Sequence, residues 1–171
     1  MSVKRLSSTA ALSAVYALTT LLLAPLSFGV VQCRIAEVLC LLPYYFPDSV
    51  WGLFLGCALA NLLSGNALDF VFGSLATLLS ALCVRASRSR ALACVWPVLI
   101  NGAIIGAVLT VGYENLSLLA SPRIYALNAL SVAAGEALVL FGVGLPLLRR
   151  LPEQKLFPFL AAHFDCTKDK V

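Results

Sequence analysis

The stretch ALACVWPVLINGAIIGAVLTV, residues 91–111, carries no charged side chain and follows the basic run RASRSR, residues 85–90. Because roughly 20 apolar residues in a helix cross about 30 Å of hydrocarbon, this stretch is long enough to span a membrane. Similar apolar blocks surround it, and the whole chain is 61% hydrophobic and 12% charged. A soluble domain would carry roughly twice that charged fraction. The sequence therefore predicts an integral membrane protein.

Six apolar segments are predicted as transmembrane helices. They cover residues 9–24, 32–43, 50–63, 70–84, 91–111 and 124–148, and residues 151–171 form a cytoplasmic tail. The second and fourth segments are shorter than a span requires, but short helices are tolerated where they pack inside protein or line a cavity. No linker interrupts the pattern, so residues 1–171 are expected to form a single transmembrane domain. The predicted fold class is an all-α membrane protein, a bundle of six transmembrane helices.

Basic residues set the predicted orientation, because cytoplasmic loops of membrane proteins carry an excess of lysine and arginine. With the amino terminus inside, three inner segments hold Lys4, Arg5, Arg85, Arg88, Arg90, Arg149 and Arg150. The outer side holds Arg34 and Arg123. Both termini are therefore expected on the cytoplasmic side. The net charge of +4 then reflects membrane orientation, and no nucleic-acid partner is expected.

Polar and charged side chains inside the predicted helices are the candidate functional residues. A charge at the centre of a bilayer costs about 2.5–3.5 kcal/mol, so each one needs a partner or a role. The residues in the outer half or at the midplane are Gln32, Arg34, Glu37, Asn61, Asp69, Asn101, Asn128 and Glu136. We interpret them as a polar pocket that opens outward, in which carboxylates and amides bind a flat ligand rich in nitrogen.

Structural roles are alternatives for several of these residues. Arg34 and Glu37 are spaced i, i+3, so they are also able to neutralise each other on one helix face. The asparagines are also suited to hydrogen bonds that join membrane helices. For Asp69, a helix cap on an exposed loop is the preferred interpretation. Glu136 has no basic neighbour in its own helix, so the pocket interpretation leads there.

The sequence gives little indication of enzyme chemistry or metal binding. None of the six cysteines forms a CxxC pair, and five lie in apolar blocks, as expected of small buried hydrophobes. The one histidine, His163, lies near the carboxy terminus. No HExxH motif and no GxxxxGK[ST] loop occurs, so we expect no ATPase site, cofactor or metal in this chain.

Small residues on the first helix form a candidate contact face, in the patterns Ala10-x-x-x-Ala14 and Ser13-x-x-x-Ala17. Such faces allow two helix backbones to approach closely. The face serves either packing within this chain or contact with another protein. The glycines of Gly102-x-x-x-Gly106, residues 102–106 in the fifth segment, leave the same two possibilities open.

Several sequence blocks, taken in order, resemble the queuosine-precursor (QueT) family of transport proteins. They are QCRIAEVLCLLP (32–43), GLFLGCALANL (52–62), DFVFGSLATLL (69–79), PVLINGAIIG (97–106) and VAAGEALVLFGVG (132–144). The Q-x-R-I-x-E block is the most specific of these. One departure is Ala36, where many members are expected to have a serine. The resemblance covers residues 10 to about 150.

The resemblance implies that the chain is a substrate-binding S component of an energy-coupling factor (ECF) transporter in the bacterial plasma membrane. S components have six helices and bind a small vitamin-like molecule from outside. They associate with a transmembrane coupling T component and two cytoplasmic ATPases, which hydrolyse the ATP. The alanines of the first helix, Ala10 and Ala14 with Ala17 in the same series, are the implied contact with the T component.

The ligand implied by the resemblance is a 7-deazaguanine precursor of queuosine. Its guanine-like edge suits a carboxylate such as Glu37 or Glu136, because a carboxylate accepts paired N–H donors well. Asn61, Asn101 or Gln32 would bind the remaining polar atoms. Aromatic stacking would come from Trp51, Phe70 or Trp96, with core packing as the preferred alternative for each.

Two other transport functions fit the same residues. One is an S component for another vitamin, since the pocket residues alone do not select the ligand. The other is a stand-alone, proton-coupled carrier that uses Glu37 and Glu136. An intramembrane enzyme is poorly supported, because the predicted helices contain no histidine and no pair of aspartates.

Overall fold

The computed structural model describes residues 3–27, 33–65 and 67–167, and these parts of the chain are helical without a strand. A single helical turn, Ala24–Ser27, follows the first helix. The helices are α1 (Val3–Leu22), α2 (Ile35–Tyr44), α3 (Ser49–Leu63), α4 (Asp69–Ala86), α5 (Arg90–Gly112), α6 (Pro122–Glu153) and α7 (Leu156–His163).

Three of the helices in the described part of the chain, α4, α5 and α6, are long and apolar enough to cross a membrane by themselves. Helices α2 and α3 are also apolar but shorter. Helix α1 has 20 residues, and its first turns carry Lys4, Arg5 and several hydroxyl side chains. The predicted all-helical membrane class agrees with this architecture. The count of six spans and the orientation in the membrane stay predictions.

Helix α2 is the central element of the bundle. It contacts α1, α3, α4, α5 and α6. Around it, α1 packs on α3, α3 on α4, α4 on α5 and α5 on α6. It is a 3₁₀ helix of 10 residues, and a 3₁₀ helix rises about 2.0 Å per residue, more than an α-helix does. Because six of its ten residues are buried against the other helices, the short length of α2 is compatible with a place inside a membrane bundle.

Glycines allow the closest approaches between helices. A Cβ atom on Gly56 of α3 would lie 2.8 Å from the backbone oxygen of Ser13 in α1, and Ser13 Oγ donates to Gly52 O at 2.9 Å. A Cβ atom on Gly106 of α5 would lie 2.6 Å from the Cα atom of Ala129 in α6. These small-residue faces therefore pack within this chain, as close helix contacts in membranes do.

The predicted cytoplasmic segments meet at one end of the bundle, which we call the basic end. Arg5 of α1 pairs there with Asp48, between α2 and α3, and with Asp165 of the tail. Arg90 Nε, at the start of α5, donates to Tyr45 Oη at 2.8 Å. The sequence pattern placed the start of α1 at residue 9, but the helix begins at Val3. The added turns carry Arg5, which pairs with its partners outside the apolar region.

The carboxy-terminal tail docks against the basic end. Phe157 of α7 packs its ring against the rings of Tyr45 and Phe46, and Thr167 N donates to Tyr45 O at 2.9 Å. The side chains of Tyr45 and Phe46 are fully buried as a result. The sequence pattern left the tail either on the membrane surface or against the bundle, because the tail alternates polar and apolar residues without a clear period.

Substituting Gly106 with alanine should lower the thermal stability of the purified protein in detergent. The added Cβ would overlap the backbone at Ala129, so α5 and α6 must move apart, at a cost of about 1–3 kcal/mol for an overpacked contact. Gly142→Ala is the matched control, because a Cβ at that position meets nothing within 4 Å. Equal unfolding temperatures for the two variants would contradict the close contact of α5 with α6.

Candidate binding site

Polar side chains from helices α1 to α6 meet in one buried group, which we call the polar cluster. None of its members is more than 5% exposed: Tyr16, Arg34, Glu37, Cys57, Asn61, Asp69, Thr77, Asn101 and Glu136. The cluster lies away from the basic end, since Glu37 is in the first turn of α2 and the last turn of α2 reaches that end. Six of the residues that the sequence singled out are thus brought together.

Glu37 lies at the centre of the polar cluster. Its Oε1 atom accepts a hydrogen bond from Tyr16 Oη of α1 at 2.6 Å and lies 3.5 Å from Thr77 Oγ1 of α4. Arg34 Nη1 is 4.0 Å from the same oxygen. The other oxygen, Oε2, is buried without a hydrogen-bond partner among the described residues. A buried acceptor of this kind needs a donor, and a ligand N–H placed there would satisfy it.

Glu136 of α6 shows the same pattern. Its Oε1 atom accepts a hydrogen bond from Asn101 Nδ2 of α5 at 3.1 Å, and its Oε2 atom is buried with no partner in the described ranges. The Glu136 carboxyl group also interacts electrostatically with Glu37 and Arg34. Each of the two carboxyl groups therefore has one oxygen bonded to a neighbouring side chain and one buried oxygen without a partner among the described residues.

Cys57 of α3 is the meeting point of three donors. Its sulfur lies 3.2 Å from Thr77 Oγ1, 3.4 Å from Asn61 Nδ2 and 3.6 Å from Arg34 Nη1. Asn61 Nδ2 also donates to the backbone oxygen of Asp69 at 2.7 Å. Asn61 Oδ1 is a third buried acceptor with no partner within the part of the chain described.

The start of α4 positions the Asn61 amide. Residues Asp69–Gly73 form a π-helical turn, a feature that is frequent at functional sites. A Cβ atom on Gly73 would lie 2.9 Å from Asn61 Nδ2, so glycine leaves room for the amide. Asp69 is only 3% exposed. The exposed position preferred for Asp69 from the sequence is therefore wrong, because this part of the π turn faces the bundle.

Three residues predicted for the site are not part of the polar cluster. Gln32 lies outside the described residues. Trp96 is half-buried on α5, and no hydrogen bond or ring contact joins it to the cluster within the described ranges. Asn128 donates to Thr110 Oγ1 at 3.1 Å and to Glu114 Oε2 at 3.2 Å. Asn128 thus connects α6 to the end of α5, as the hydrogen-bonding alternative for the asparagines proposed.

Sequence reasoning missed Tyr16, Cys57 and Thr77, because each of these residue types is common in an apolar helix. One signal was present on α4, where Ser74, Thr77 and Ser80 repeat every three residues and are all buried. Such a repeat marks one face of a helix. The sequence shows no comparable signal for Tyr16 or Cys57.

Helix α1 has two faces that differ in exposure. Ser13, Tyr16 and Ala17 are buried against the bundle, whereas Ala10 and Ala14 are exposed. Ala17 is 6% exposed, because its face packs on α3 within this chain. Of the three alanines predicted for partner contact, only Ala10 and Ala14 are accessible.

A bundle of apolar helices around buried ionisable groups is typical of a membrane protein that accepts a polar molecule or ion into its interior. The family model described as the QueT transporter matches residues 6–153, and the chain belongs to this family. Searches of curated proteins and of solved structures give no match. Family membership confirms the resemblance and implies a membrane protein that binds and transports a substrate. Helix α7 lies beyond the matched residues.

Replacing Tyr16 with phenylalanine should destabilise the folded protein. The variant keeps the ring and removes the shortest hydrogen bond to Glu37, a loss of about 1–3 kcal/mol for a buried polar group. Tyr125→Phe is the control, because that hydroxyl makes an exposed, long bond of 3.4 Å to Ala103 O. Thermal unfolding in detergent measures both. An unchanged unfolding temperature for Tyr16→Phe would show that Glu37 does not depend on this bond.

Proposed function

We propose that this chain is the substrate-binding S component of an ECF transporter and captures a 7-deazaguanine precursor of queuosine from outside the cell. The observation that carries the ligand proposal is a set of buried acceptor atoms without partners among the described residues, namely Glu37 Oε2, Asn61 Oδ1 and Glu136 Oε2. A 7-deazaguanine carries several N–H donors on one flat ring, which complement these acceptors. Membership of the QueT transporter family supports the same assignment.

The two carboxyl groups bind the N–H donors of the base in this proposal. The surrounding apolar helices exclude water that would compete for these hydrogen bonds. Asn101 and Tyr16 each hold one carboxylate oxygen, at 3.1 Å from Glu136 and 2.6 Å from Glu37. The second oxygen of each carboxyl group is left for the ligand.

The basic end supports an orientation with both termini in the cytoplasm and six transmembrane segments in one domain. Arg5 and Arg90 lie at that end, and lysine and arginine favour the cytoplasmic side of the bacterial plasma membrane. The polar cluster then lies in the outer half of the bundle, where a ligand from outside would enter. The tail that carries α7 is cytoplasmic in this arrangement.

The energy for transport is assigned to partner subunits. The sequence has no phosphate-binding loop of the GxxxxGK[ST] type, so two cytoplasmic ATPases would bind and hydrolyse ATP, and a transmembrane T component would couple them to this chain. The chain itself binds a substrate and catalyses no reaction in this proposal.

The contact with the T component is assigned to the exposed face of α1 that carries Ala10 and Ala14. Small side chains allow a partner helix to approach closely. The opposite face of α1 carries Tyr16, which donates to Glu37 at 2.6 Å. One helix therefore lies between the ligand site and the proposed partner.

Glu37→Gln and Glu136→Gln should each weaken the binding of 7-deazaguanine by roughly 5- to 150-fold, the range for a buried donor that loses its acceptor. Each variant keeps the side-chain shape and replaces one acceptor oxygen with an NH₂ group. Titration calorimetry on the purified protein measures the affinity. Glu114→Gln is the matched control, because Glu114 contacts Asn128 outside the polar cluster.

Wild-type affinity in both cluster variants would refute the carboxylate site. If the wild-type protein does not bind 7-deazaguanine but binds another vitamin, the substrate assignment is wrong while the S-component assignment stands. Uptake by the purified chain alone in liposomes would replace the S-component assignment with a self-sufficient carrier.

Ala14→Trp should reduce co-purification of this chain with the T component and the ATPases, and leave 7-deazaguanine binding within about threefold. The indole would hold the partner helix away from α1, where Ala14 is exposed. Ala134→Trp adds the same group at an exposed position of α6 and is the control. Equal recovery of the complex with both variants would place the partner on another face.

A further inference from the structure

Three hydrogen-bond donors of the polar cluster share one poor acceptor. Thr77 Oγ1, Asn61 Nδ2 and Arg34 Nη1 lie between 3.2 and 3.6 Å from Cys57 Sγ. A thiol sulfur is a weak acceptor compared with a carbonyl oxygen. All four residues are at most 5% exposed. A ligand oxygen placed among these donors would therefore be a better acceptor than the sulfur they share in this structure.

The amide of Asn61 gives a second and independent indication of a ligand. Its Oδ1 atom is fully buried with no partner among the residues described. The orientation of the amide is set by the bond of 2.7 Å from Nδ2 to the backbone oxygen of Asp69. The second N–H of the amide and the free Oδ1 atom together present one donor beside one acceptor.

A donor beside an acceptor complements a lactam, in which a ring C=O stands next to a ring N–H. An asparagine amide pairs with such an edge through two parallel hydrogen bonds, as it does with matching edges of nucleic-acid bases. Thr77 and Arg34 lie on the donor side of Asn61, since they approach the same sulfur. They would add hydrogen bonds to the lactam oxygen.

We propose that Asn61, Thr77 and Arg34 form a lactam-binding subsite beside Cys57. On ligand binding, the lactam oxygen takes over the donors that Cys57 Sγ accepts in this structure, and the lactam N–H donates to Asn61 Oδ1. Cys57 suits this exchange because hydrogen bonds to a thiol sulfur are weak, so little free energy is lost when the ligand replaces it. The inference rests on the proposed function and adds that Asn61, Thr77 and Arg34 bind the lactam edge of the base.

The test compares 7-deazaguanine with its 6-thio analogue, which keeps every N–H donor and replaces the lactam oxygen with a weaker acceptor. Wild-type protein should bind the oxo compound about tenfold more tightly, and Thr77→Val should reduce this preference several-fold by weakening the oxo compound alone. The greater size of sulfur acts on both proteins, so it cancels when the two preferences are compared.

Thr110→Val is the matched control. Thr110 is fully buried on α5 and its hydroxyl donates to Gly106 O at 2.9 Å, so its loss should leave the oxo preference unchanged. Arg34→Lys is the second variant, because it keeps the charge and removes the planar donor group. It should also reduce the oxo preference, and it carries the test if Thr77→Val does not fold.

The two possible failures are distinguishable. If wild-type protein binds the oxo and thio compounds equally, or if its preference survives both Thr77→Val and Arg34→Lys, the lactam subsite is wrong and the carboxylate site is unaffected. If wild-type protein binds neither compound, the proposed substrate is wrong and this inference falls with it.

Discussion

A carboxyl group at the centre of an apolar bundle must find polar neighbours, and the position of Glu37 imposes this requirement on the whole molecule. Its helix, α2, contacts all the other long helices, so the neighbours can come from any of them. Tyr16 of α1 and Thr77 of α4 approach one oxygen of Glu37. The short 3₁₀ helix is thus a central element that faces protein, and its polar residues never need to meet lipid.

The sequence predicted what depends on composition along the chain. Long apolar blocks predicted α5 and α6, whereas the fourth block was too short for a span and α4 extends beyond it to Asp69 and Ala86. Charged or amide residues inside the apolar blocks came together as one cluster, which includes Arg34, Glu37, Asn61, Asn101 and Glu136. It did not predict what depends on the rotation of each helix. A lone hydroxyl or thiol in an apolar helix fits a core position equally well, so the roles of Tyr16 and Cys57 were visible only in three dimensions.

Helix α1 has one face against the bundle and one exposed face, and the sequence pattern does not show which residues belong to each. Its small residues repeat on more than one face, and the pattern does not say which face meets α3. The contact of Gly56 with Ser13 resolves this, because it turns Tyr16 inward and Ala10 and Ala14 outward. In the proposed transporter, ligand and coupling subunit would then each stabilise one placement of the same helix, and any such coupling is reciprocal in free energy.

The docked tail has a consequence for the limits of the folding unit. The family match ends at residue 153, but the rings of Tyr45 and Phe46 are covered by Phe157, which follows it. A chain shortened to the matched region would present these two aromatic rings to water. The family match and the packed aromatic core therefore end at different residues in this molecule.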